Sequence, residues 1–255
     1  MIIKFLFFSF LYFLARKFTD TFGARTQLNP LKWICLGVYL VIVIGLQLTD
    51  TMGFMKERCG EMQVDKAIMY TLMPNILIFG LLIMIIIAMP GWKAPFSNTF
   101  GFIAARAMGI KRNFDDLISA GGVDKGLLQR IDADPSMIIN EITPGNFDLF
   151  FSKMSDEKTL AVSYEELKSY EKRQNGGEKL TKRENHYFDA FVGIYNAVVI
   201  KDLIAEGIWY ILAGALVITL TKNAVSEMEC EKNKEQMIKE YEEAGGTSKM
   251  KSLKP

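Results

Sequence analysis

Few side chains in this chain are of the kind that carries chemistry, and each kind is thinly supplied. A single histidine, His186, leaves no second imidazole for a metal pair or a base–nucleophile relay. The three cysteines, Cys35, Cys59 and Cys230, are too few and too scattered for a disulfide framework or a zinc site. Asp132-x-Asp134-x-Ser136 opens like a calcium loop, but Pro135 and Met137 stand where that loop needs free dihedrals and its sharp-turn glycine. Asp and Glu number 29 against 30 Lys and Arg, so the net charge of +1 leaves no concentrated basic footprint for nucleic acid. No carboxylate is set in a pattern that poises an acid against a base. The expectation is a protein that is not an enzyme, with no cofactor, no metal, no nucleic acid and no small-molecule substrate.

What remains is apolar surface, and it is not evenly spread. It lies in blocks at residues 1–15, 31–49, 67–89 and 203–221, with charged sequence between them. The expected fold class is an all-α membrane protein: three transmembrane helices, a fourth short N-terminal apolar segment, and a soluble, mainly helical middle domain. Six parts follow: an anchor and basic linker (1–30), a transmembrane hairpin (31–89), an interfacial motif and helix (90–112), the soluble helical domain (113–202), a transmembrane helix (203–221) and a charged tail (222–255).

Met1–Ala15 reaches only about 22 Å as a helix, short of a hydrocarbon core of about 30 Å. Arg16-Lys17 stands where a signal peptide would need small residues, so a retained anchor is expected. Leu31–Thr49 is the first span, with Trp33 at its entry and Cys35 inside it as an inert, lipid-buried thiol. A polar loop, Asp50–Lys66, precedes the second span, Ala67–Met89, in which Pro74-Asn75 either starts the helix proper or kinks it. Lys201, Asp202 and Glu206 sit in or just before the first turn of the third span, within reach of headgroups.

Pro90 and Gly91 must end the second span. Trp92 and Lys93 suit the membrane interface; Pro95 is expected to hold Ala94 extended, and Ser97, Asn98 and Thr99 to cap the helix that follows. In Phe100–Arg112, Gly101, Ala105 and Gly109 recur at four-residue spacing. They offer a helix-docking face, to a partner or to a helix of the same chain. Arg106, Lys111 and Arg112 face elsewhere and suit anionic headgroups. Downstream, Asp134-Pro135 and Thr143-Pro144 place a capping residue before a helix-opening proline. Ser163-x-x-Glu166 and Thr181-x-x-Glu184 are capping boxes. Phe147, Phe150 and Phe151 belong to an aromatic knot that is either a core or, with Pro95, Phe96 and Phe100, a partner-contact surface. Tyr187–Val199 follows helical spacing. The linker before the first span and the stretch 93–112 are basic, while the hairpin tip is slightly acidic. The tip is therefore expected on the non-cytoplasmic side and the middle domain in the cytoplasm. Cys59 and Cys230 then share one side and form a candidate disulfide.

Three segments, PGWKAPFSNTFGF (Pro90–Phe102), DPSMIINEITPGNF (Asp134–Phe147) and YFDAFVGIYNAVV (Tyr187–Val199), resemble membrane-anchored virion proteins of large icosahedral DNA viruses with an internal membrane, such as the chlorella viruses. That resemblance implies a multi-pass minor capsid protein, a structural link between the internal lipid membrane and the capsid shell. Its partners would be the lipid bilayer, the major capsid protein and other minor capsid proteins. Its location would be the virion internal membrane, and during assembly a membrane derived from the host endoplasmic reticulum. The alternative function is a viroporin-like oligomeric channel, supported by Asn75 and the charges at the span edge.

Overall fold

The structure, a computed structural model, describes residues 1–21, 29–118 and 136–230. Among these, 83% are helical and none lies in a strand. Three helices are long and apolar enough to cross a membrane: Pro30–Cys59, Val64–Ala88 and Lys182–Glu227. The Asp134-Pro135 start signal, the Asp132-x-Asp134 pattern and the tail beyond Cys230 lie outside the described residues.

Helices α1 (Ile2–Thr19) and α2 (Asn29–Cys59) form an antiparallel pair. The α1 N-terminus and Lys4 meet Asp50 near the end of α2, at 3.3 and 2.7 Å. A turn at Gly60, which takes φ +77°, leads into α3 (Val64–Pro74), a π-helical turn (Asn75–Gly80) and α4 (Leu81–Ala88). Helix α11 (Lys182–Glu227) completes a four-helix bundle, running antiparallel to α1 and to α3–α4. The α1 segment is thus longer than the expected 1–15 and is a full member of the bundle, burying Phe5, Ser9 and Tyr12. The polar loop expected at 50–66 shrinks to a short turn, because α2 continues ten residues past Thr49 to Cys59.

Pro74 neither starts nor breaks its helix. It has no N–H to offer the Tyr70 carbonyl, and Thr221 Oγ1 of α11 donates to that oxygen instead, at 3.2 Å. The π turn that follows frees the Thr71 carbonyl, which Asn75 Nδ2 reaches at 2.8 Å while also donating to Gln47 Oε1 at 2.6 Å. The side chains of Thr221 from α11 and of Asn75 itself thus satisfy the backbone that Pro74 disturbs, the arrangement apolar surroundings demand. Asn75 is buried within the bundle, its amide spent on these two bonds.

The outer faces of the bundle are apolar, with Phe7, Phe10, Val41, Leu77, Met84 and Leu216 all exposed. Its interior holds Ser9, Gln47, Thr51, Thr71, Asn75 and Glu206, all buried. These polar groups lie among an apolar core of Phe5, Val43, Phe79, Ile83 and Val217.

The chain leaves α4 at Met89 (φ −130°, ψ 75°) and continues through a 3₁₀ turn (Pro90–Lys93), α5 (Ala94–Phe96), a π turn (Ser97–Gly101), α6 (Phe102–Ala107) and α7 (Ile110–Leu117). Ala94 is helical (φ −52°, ψ −42°), not extended, because Pro95 occupies an early helical position that needs no N–H donor. Ser97 makes no capping bond, and Thr99 Oγ1 donates backward to Pro95 O at 2.7 Å. The whole ribbon runs antiparallel along α11 and feeds a second core. There α8 (Ser136–Ile139), α9 (Phe147–Asp156) and α10 (Tyr164–Asn175) pack with α7 on the first half of α11. Pro144 opens a turn rather than a helix, and α9 starts three residues later, at Phe147. Ser163 and Thr181 each make a complete capping box, starting α10 and α11. The expected boundary at 202/203 has no structural counterpart: α11 passes through it unbroken.

Candidate functional site

The residues that join the two cores sit where α11 leaves the bundle. Asp202 and Glu206, four apart, share one face of α11, with Lys201 turned about 100° away. Asp202 receives Lys93 from the ribbon. Glu206 receives Arg16 Nη1 from α1 at 3.4 Å, and Arg16 also reaches Asp20 at 3.1 Å. Lys32, at the start of α2, closes on Asp20 at 2.7 Å. Three cations thus meet three carboxylates in a collar that ties together α1, α2, the ribbon and α11. Lys201 points into the second core, 1% exposed, and its Nζ donates to the Ile139 carbonyl at the end of α8, at 2.7 Å. The expectation that Lys201, Asp202 and Glu206 reach headgroups is therefore corrected. All three are turned inward, because oppositely charged or carbonyl partners are waiting there.

Beneath the collar lies an aromatic stack. The Tyr12 ring lies 4.4 Å from Tyr39 and 6.1 Å from Tyr210, nearly parallel to both, and Phe79 meets Tyr210 edge-on at 5.3 Å. Tyr12 accepts from Arg16 at 2.8 Å, Tyr39 and Ser9 share a hydrogen bond at 2.9 Å, and Tyr210 donates to Glu206. Each hydroxyl has a partner, as burial requires. The stack plugs the bundle axis.

The row of small residues is used within the chain. Ser97, Gly101 and Ala105 are buried. A Cβ on Gly101 would stand 2.5 Å from the Lys201 carbonyl, so the ribbon and α11 touch backbone to backbone. Gly109 departs from the row: it takes φ +76° and turns the chain from α6 into α7. The docking face expected for Gly101, Ala105 and Gly109 is thus filled by α11 at Gly101 and Ala105, and Gly109 is not part of it.

Other expected site residues fall in three groups. Phe147 and Phe151 are fully buried in the second core and Phe150 packs half-buried against them, so these rings make a core and not a partner surface. Phe96 is half-buried, its ring edge-on to Trp209 at 5.0 Å, while Pro95 and Phe100 are exposed. Among the interface candidates, Trp33, Arg106, Lys111 and Arg112 are exposed. Trp92 is about half exposed, and its carbonyl accepts from Trp209 Nε1 at 3.0 Å. Lys93 does not snorkel, because Asp202 holds it in the collar. At the far end of the bundle, Cys59 and Cys230 are joined by a disulfide, with Cα atoms 5.4 Å apart, and Arg58 donates to the Val225 carbonyl at 2.6 Å.

No family model, curated protein or solved structure matches the chain. Its function has to be argued from the site. Among the described residues no three His, Cys, Asp or Glu side chains gather to hold a metal. His186 is exposed, 3.7 Å from Asp116. The collar's charges are paired with one another across four segments of the chain, an arrangement that fixes helices in place. Sequence reasoning missed Arg16, Asp20, Lys32 and the three stacked tyrosines. One signal was available: each of three apolar blocks carries a buried-capable tyrosine, and charges flank the same end of every block.

Proposed function

We propose that this chain is a membrane-embedded structural connector that holds an outer helical unit at a fixed height above a lipid bilayer. The observation that carries this reading is α11, which runs unbroken for 46 residues, a rod of about 69 Å at about 1.5 Å per residue. One half of it is the spine of the bundle and the other half is the spine of the second core. The apolar outer faces of the bundle, with its polar side chains turned inward, support a bilayer around it. Two further observations support one orientation. The Cys59–Cys230 disulfide suits an oxidising compartment at the Asp50 end. Exposed Arg106, Lys111 and Arg112 suit the cytoplasmic face at the other.

The likeness to virion proteins supplies a partner for the outer unit: a capsid shell over an internal membrane, with this chain as a minor capsid protein between them. Met137 and Leu149, exposed at 58% and 60%, are apolar side chains of the outer unit that such a shell would cover. The aromatic plug of Tyr12, Tyr39, Tyr210 and Phe79 weighs against an ion path through a single chain. Detergent with high salt applied to intact particles tests the proposal. The protein is expected to stay with the shell, and a Met137→Glu/Leu149→Glu variant to leave with the lipid. Release of the unaltered protein by detergent alone contradicts it.

A further inference from the structure

Between α1 and α11, on the outside of the bundle, lies an apolar groove of about 390 Å³. Leu6, Phe10 and Leu14 line it from α1 and Ile204, Gly207 and Ile211 from α11, with Lys17 at one end. From Leu6 to Lys17 the groove follows eleven residues of helix, about 16 Å at about 1.5 Å per residue. That is about half of a hydrocarbon core roughly 30 Å thick, the depth of one leaflet. Lys17 stands at the collar end, where headgroups of that leaflet would be. Its neighbour Arg16 is committed inward to Asp20 and Glu206, whereas Lys17 is exposed and makes no ion pair among the described residues.

We propose that the groove binds one phospholipid with an anionic headgroup, its acyl chain laid along Leu6–Leu14 and Ile204–Ile211 and its headgroup paired with Lys17. The groove supplies the shape of one chain in one leaflet, and the free cation at its rim selects the charge. This site rests on the reading of the bundle as membrane-embedded.

The test is native mass spectrometry of the full chain released from vesicles of phosphatidylcholine with one part in ten phosphatidylserine. One phosphatidylserine per chain is expected to be retained. Retention should fall about fivefold in Lys17→Glu, which removes an exposed cation without touching the core, and also in Ile204→Trp, which fills the groove. Circular dichroism of both variants should match the parent. Phosphatidylserine held no more tightly than phosphatidylcholine overturns the site, as does retention in the two variants equal to that of the parent. So does a change of oligomeric state in Ile204→Trp with lipid retention unaltered, since the groove would then seat a second copy. Failure of the parent chain to enter vesicles overturns the membrane reading itself, a result distinct from loss of lipid selectivity.

Discussion

Three glycines on or against α11 differ in what they tolerate. A Cβ on Gly101 would meet the Lys201 carbonyl at 2.5 Å, and one on Gly214 would meet the Phe5 ring at 2.0 Å, whereas on Gly207 the nearest atom is 3.6 Å away. Gly101→Ala and Gly214→Ala are therefore expected to cost about 1–3 kcal/mol through overpacking, with Gly207→Ala close to neutral. Thermal unfolding in detergent reads the order. Arg16 and Glu206 form the pair that most deserves a double-mutant cycle. Arg16→Met leaves Glu206 buried without its cation and should cost about 3–5 kcal/mol, while adding Glu206→Leu should recover most of that loss. Additive penalties would mean the two side chains do not interact. Neither partner was readable as a pair from the sequence, because 190 residues separate them. A charge at a span edge also has two physical outlets, a headgroup or a neighbour, and sequence does not say which is nearer.

At the scale of elements, local signals were the legible ones. The capping boxes at Ser163 and Thr181 depend only on residues three apart, and both form. Glu184 is held down to about 2, first by the Thr181 backbone N–H, then by Arg173 and the Thr181 hydroxyl. Its folded value lies below its ordinary 4.5, so its contribution is complete above that value and is lost as pH falls toward 2. The difference in melting temperature between the parent and Glu184→Gln should accordingly narrow between pH 6 and pH 3. A constant gap would remove the carboxylate from the account. The course of Pro90–Phe102 was not legible. Pro and Gly announce a stop, but packing against α11 restarts the helix at once through a 3₁₀ turn, one α-helical turn and a π turn, which tertiary contact stabilises and local propensity does not. The extension of α2 to Cys59 has the same origin, since its last turns pack Met55 against Ala67 and Val225. Thr221→Val probes the Pro74 repair: it strands the Tyr70 carbonyl and should cost about 1 kcal/mol.

For the molecule as a whole, the apolar blocks announced the helices and their number, but not that two of the expected parts share one helix. A span and an amphipathic helix look like separate elements when a charged cluster lies between them. Here that cluster is the collar, and the helix runs through it. A connector of this kind requires α11 to be one rigid rod that couples the bundle to the outer unit. Electron–electron distance measurement between spin labels at His186 and Asn223, in lipid vesicles and on a Cys35→Ser background, tests it most directly. Both sites are exposed, and the 37 residues between them span about 55 Å of continuous helix at about 1.5 Å per residue. A single narrow distribution near that value is the predicted result; a broad or markedly shorter one, showing a hinge at the collar, would contradict the connector.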